Sequence, residues 1–86
     1  MDIDRLLDRP GAECRKFFSA RGGEYQVGCI PWAKNRIDGK VYFLFVRNPE
    51  DPPGMLIHGE VRAVSGDEDA TSLMNGIVEK WEGVLR

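Results

Sequence analysis

Cys14 is followed at once by Arg15 and Lys16, in a chain whose only histidine is His58. A thiol beside two cations and near a helix start has surroundings that favour the thiolate, and a histidine elsewhere can serve as base. Together they outline a small cysteine-dependent enzyme using Cys14 and His58. The competing reading is structural. Cys14 falls in phase with Phe17 and Phe18 on an apolar stripe, and 86 residues leave little room for a triad and a cleft. Cys14 and Cys29, with no CxxC and no Cys/His cluster, are therefore expected to be reduced and buried. No catalytic residue is assigned.

One histidine is a poor start for a ligand set, so neither a metal nor a cofactor is expected; His58 reads as a partly exposed sheet residue. Glu79 and Glu82, with Asp67, Glu68 and Asp69 upstream, make the final helix acidic. Strands followed by an acidic helix, from Val27 to Gly83, give an order similar to that of the Nudix nucleotide hydrolases. That family's helix carries an Arg-Glu and a Glu-Glu pair at fixed spacing. Here the stretch reads Asn75-Gly76-Ile77-Val78-Glu79-Lys80-Trp81-Glu82, so no residue carries over and the acids read as a solvated face.

The basic residues Arg15, Lys16, Arg21, Lys34, Arg36 and Lys40 fall on the first helix and first hairpin and are the candidates for anion or nucleic-acid binding. A helix-strand-strand-strand-helix order resembles the topology of double-stranded-RNA-binding domains, which use those two regions. Such domains also hold phosphates with lysines at the start of the last helix. Gly66-Asp67-Glu68-Asp69 would repel phosphate there, which weighs against nucleic acid.

Charge is uneven along the chain. The net value is −2, but residues up to Arg47 include nine basic and six acidic side chains, and the remainder three basic and eight acidic. Such asymmetry steers encounters without fixing a fold. A hydrophobic content of 42% with 30% charged residues excludes a disordered or membrane-spanning class. Met1-Asp2-Ile3-Asp4-Arg5 lacks the cationic and apolar regions of a signal peptide, so a cytoplasmic protein without membrane contact is expected.

Ile3, Leu6, Leu7, Pro10, Cys14, Phe17 and Phe18 recur at helical spacing, predicting a short helix near 2–8 and a main helix near 10–20, divided at Pro10-Gly11 and ended by Gly22-Gly23. Glu24 to Trp32 alternates as a strand. After a polar connection ending in Asp38-Gly39, Val41 to Val46 is apolar at six consecutive positions, so the two form a hairpin. Three prolines make Asn48 to Gly54 a loop. Met55 to Val64 is a third strand, Ser65-Gly66-Asp67-Glu68 has the form of a capping box, and Ala70, Leu73, Met74, Ile77, Trp81, Val84 and Leu85 trace an amphipathic helix.

The expected fold is one α+β domain over residues 1–86. It is a small two-layer sandwich of order α-β-β-β-α, with a three-stranded antiparallel sheet and both helices on one face. Helix-facing residues would be Tyr25, Val27, Cys29, Met55, Ile57, Val61 and Ala63. The apolar run in the middle strand then needs cover on its second face as well. The inferred function is a non-enzymatic protein-interaction or regulatory module pairing through that uncovered face, as a homodimer or with a larger protein. Its interface residues would be Ile30, Trp32, Tyr42, Leu44, Val46, His58 and Arg62.

Overall fold

A computed structural model describes residues 2–34, 39–52, 54–65 and 68–85. The elements are α1 (Ile3–Leu6), β1 (Glu13–Phe18), β2 (Glu24–Lys34), β3 (Gly39–Arg47), β4 (His58–Ser65) and α2 (Ala70–Trp81). The α+β class and the antiparallel sheet follow the sequence, but the sheet has four strands, paired in the order β1-β2-β3-β4. Residues 35–38, which include Asp38 of the expected Asp38-Gly39 turn, lie outside the described residues.

The extra strand replaces the helix expected near 10–20. Gly11 takes a positive φ of 83°, and the chain emerges from it extended, running antiparallel along the outer side of β2 from Glu13↔Cys29 to Phe18↔Glu24. Only Phe17 of β1 is buried; its ring lies 5.9 Å from that of Tyr25 on the neighbouring strand. The eleven-residue β2 would otherwise expose a row of unpaired backbone groups, and satisfying them outweighs a helical spacing of apolar residues. A turn at Gly22, φ 89°, reverses the chain, with the Ser19 hydroxyl accepting from the Gly23 N–H at 3.1 Å.

Each face of the sheet has its own core. On one, α2 sets Ala70, Leu73, Met74 and Ile77 against Phe17, Val27, Cys29, Tyr42, Leu44 and Val46. On the other, Ile3 of α1 is fully buried against Ile30, Phe43 and Phe45, with Leu6, Leu7, Ala12 and Leu56 around them. The helices therefore lie on opposite faces. Arg47 anchors α1 through an ion pair to Asp4 at 2.9 Å while its guanidinium lies 5.8 Å from the Phe45 ring centre. Phe45 fits because Gly28 is opposite it in the register and has no side chain; a methyl there would overlap the ring.

Helix α2 starts later than the expected capping box. Ser65 is still paired to Gly39 in β4, and Asp69 is the N-cap, its side chain accepting from the Ser72 N–H at 2.8 Å. That hydrogen bond holds the Asp69 carboxyl below its usual range. Among the described residues, no helix is long and apolar enough to cross a membrane.

Candidate functional site

The register of β3 against β4 decides the fate of the expected interface. Val46↔His58, Leu44↔Glu60 and Tyr42↔Arg62 are directly opposite, so all six side chains share one face, and α2 covers it. Tyr42 and Phe43 are less than a tenth exposed, and Leu44, Phe45 and Val46 are fully enclosed within one copy. The uncovered sheet face does not exist. Ile30, Tyr42, Leu44 and Val46 belong to the two cores and are withdrawn as interface residues; the assignment of Val61 and Ala63 to the helix-covered face is reversed as well. Trp32, 39% exposed, sits at a rim with its ring 5.4 Å from Phe43 and the Arg9 guanidinium 5.0 Å over it.

The basic set does not converge either. Arg15 and Lys16 are successive strand residues and point to opposite faces: Arg15 donates to the Asn75 side chain on α2, and Lys16 pairs with Glu24 at 3.5 Å. Arg21 belongs to the β1–β2 turn, whereas Lys40 pairs with Lys34 at the far end of the long hairpin, roughly 33 Å away along β2. The Lys34 side chain and Arg36 lie outside the described residues.

Cys14 and His58 are also apart. They point to opposite faces from β1 and β4, with two strands between them, and Cys14 lies in a strand rather than at a helix start. Cys14 is exposed, against expectation, and its Sγ accepts from Gln26 Nε2 at 3.4 Å. Cys29 is buried, and burial, followed by the charge of Glu13, pushes its thiol up to about 11. Glu79 and Glu82 are exposed on α2 and its cap, and the described residues hold no cluster of metal-ligating side chains. A depression of about 230 Å³, lined by Gly23, Glu24, Tyr25, Asn48, Pro49 and Glu50, is smaller than the roughly 300–1,000 Å³ of ordinary ligand pockets.

What the fold leaves open is an edge. Ser19 donates its backbone N–H to the Gly23 carbonyl in the same register as the β1–β2 pairs, and this fixes the phase of the whole sheet. Each strand residue directs both backbone groups to one side, and successive residues alternate. Tyr25, Val27 and Cys29 therefore bond to β1, Gln26, Gly28 and Ile30 to β3, and Val46, Leu44 and Tyr42 to His58, Glu60 and Arg62. Gly59, Val61 and Ala63 turn their N–H and carbonyl groups away from the sheet, and among the described residues no strand meets them.

The side chains along this edge are of two kinds. On the α2 face, Glu60 Oε1 accepts from Arg62 at 2.9 Å and lies 3.1 Å from His58 Nε2, whose ring is 5.2 Å from Trp81. Those contacts, His58 foremost, hold the Glu60 carboxyl below its usual range. On the other face Val61 is 58% exposed, and Met55 and Ile57, in the run leading into β4, are exposed as well. The sequence reading placed His58 and Arg62 at an interface and missed Gly59, Val61 and Ala63. The signal lay in their neighbours: His58 to Ser65 has neither proline nor lysine to block an edge. No family model matches the chain, and comparison with curated proteins and with solved structures returned no significant match.

Proposed function

We propose that the protein is a non-enzymatic interaction module that takes an antiparallel strand from another protein chain along the free edge of β4. One observation carries this reading: an eight-residue edge whose outward backbone units, Gly59, Val61 and Ala63, face no strand among the described residues and lie beside exposed Val61, Ile57 and Met55. Strand addition supplies main-chain hydrogen bonds for affinity and side-chain contacts on both faces for specificity.

The variant Ala63→Pro tests it. Proline removes an N–H that faces away from the sheet, so the internal ladder stays whole while the docking ladder loses a donor. Sedimentation of the wild-type chain should show an assembly larger than one copy at high micromolar concentration, and the variant should sediment as a single folded copy. An assembly that Ala63→Pro leaves intact would contradict the reading.

A further inference from the structure

We infer that the strand received by β4 is the β4 of a second copy, antiparallel about a twofold axis at Val61; this rests on the edge reading above and names its partner. Because Gly59, Val61 and Ala63 present the outward groups on each copy, these residues must face one another. Among the three neighbouring registers centred on Val61 that satisfy that condition, the charges select one.

With Val61 opposite Val61 of the second copy, Glu60 stands opposite the second Arg62, and Arg62 opposite the second Glu60. A slide of one repeat in one direction sets Arg62 against Arg62; a slide the other way sets Glu60 against Glu60. Like charges directly opposite are destabilising and unlike charges favourable, so both slides are rejected. The two Glu60–Arg62 pairs would occupy non-hydrogen-bonded positions, where Cα atoms approach to roughly 4.5 Å and side chains meet most closely. Within one copy the contacts from His58 and Arg62 both fall on Glu60 Oε1, which leaves Oε2 for the arriving guanidinium.

The opposite face agrees. Val61, 58% exposed in one copy, packs against its own image across the axis, and Ala63 faces Gly59 without crowding. About six backbone hydrogen bonds join the strands. Each copy spends its β4 edge on the other, so the assembly closes at two instead of growing. The result is a continuous eight-stranded sheet, twice the four of one copy, with both α2 helices on the same side.

Charge reversal by mixing tests the register. Glu60→Arg leaves arginine at both 60 and 62, and Arg62→Glu leaves glutamate at both. Each variant alone should lose dimerisation by about tenfold or more in dissociation constant, because like charges then face each other. An equimolar mixture should recover the two-copy mass in equilibrium sedimentation, since every cross-strand pair is again opposite in charge. Circular dichroism matching the wild type qualifies each variant as folded. Glu60→Gln, which keeps the side chain's shape, gives a milder version with a smaller loss.

A wild-type chain that stays monomeric up to millimolar concentration would overturn the inference, as would a mixture no better associated than its components. The Ala63→Pro variant separates the two levels. A dimer lost with Ala63→Pro yet indifferent to charge reversal overturns the register alone. A dimer that survives Ala63→Pro overturns the edge reading and the inference with it.

Discussion

β1 and β4 run along opposite edges of one sheet, and each turns alternate backbone units outward: Cys14, Lys16 and Phe18 on one side, Gly59, Val61 and Ala63 on the other. β1 has six residues, a lysine among its outward units, and α2 across its flank. Arg15 donates to Asn75, and just beyond the strand the Ala20 N–H donates to the Glu82 carbonyl at 2.9 Å. β4 has eight residues, and its outward units are a glycine, a valine and an alanine. Natural sheets blunt their edges with short strands, lysine and covering elements. β1 is the shorter strand and turns a lysine outward. β4 is longer, turns neither lysine nor proline outward, and carries Glu60 and Arg62, whose order suits an inverted copy of the same strand. Because α2 reaches both flanks, through Asn75 beside Arg15 and through Trp81 beside His58, the difference between the edges lies in the strands themselves.

The largest expected effect removes both edges together. Leu44→Asp places a carboxylate in the core under α2, at a site with no exposure. Burying an unpaired charge costs several kcal/mol, comparable to the roughly 5 kcal/mol that holds together a chain of this size. Circular dichroism should show an unfolded chain. A folded monomer would instead revive the uncovered face.

Next come the paired proline substitutions. Lys16→Pro and Ala63→Pro each delete an N–H pointing away from the sheet, so both chains should fold. Only Ala63→Pro should abolish association in size-exclusion chromatography with light scattering; equal effects from the two would erase the difference between the edges.

Thiol chemistry sharpens the comparison at β1, whose edge carries an exposed cysteine. Iodoacetamide at neutral pH should label Cys14 in the native chain and reach Cys29 only after unfolding, since Cys29 is buried and its thiol is pushed up to about 11. Mass spectrometry of native and denatured samples reads both sites. Labelling of both at one rate in the native chain would mean that the sheet opens readily.

The smallest effect is acid dependence at β4. Glu60 has a folded pKa below its ordinary 4.5, through His58 first and Arg62 after it. Its contribution is therefore complete above pH 4.5 and is lost as pH falls through the lowered value. For a partly exposed cluster this is worth up to about 1 kcal/mol. Thermal melts of wild type and Glu60→Gln, compared from about pH 6 to about pH 3, should converge at the acid end. Parallel curves would remove the Glu60 cluster from the account.

The sequence was most readable where one signal stood alone. Ala70, Leu73, Met74 and Ile77 repeat at helical spacing and all four are buried in α2. The hairpin of β2 and β3 was equally plain, because alternation meets an unbroken apolar run. Residues 10–20 misled because Cys14, Phe17 and Phe18 have helical spacing by coincidence. Pairing to β2, a contact between segments distant in sequence, decided their structure instead. The outward parity of β3 was unreadable: Tyr42, Leu44 and Val46 are as apolar as Phe43 and Phe45, and alternation carries no information where both faces are buried. Cover for the second face was underestimated as well. One helical turn carrying Ile3, together with Leu56 from the loop, suffices over Phe43 and Phe45. Of the candidate site, His58 and Arg62 were legible as sheet residues and their strand as an edge, because β1 adds beside β2 and leaves β4 terminal; which backbone units point outward was not, because that phase is set by hydrogen-bond pairing and not by side-chain pattern.

Amide hydrogen exchange on the full chain at rising concentration tests the central claim most directly, because it reads both edges in one sample. The amides of Gly59, Val61 and Ala63 should gain protection as concentration increases, while those of Cys14, Lys16 and Phe18 keep the same rates. Fast, concentration-independent exchange at Gly59, Val61 and Ala63 would contradict it.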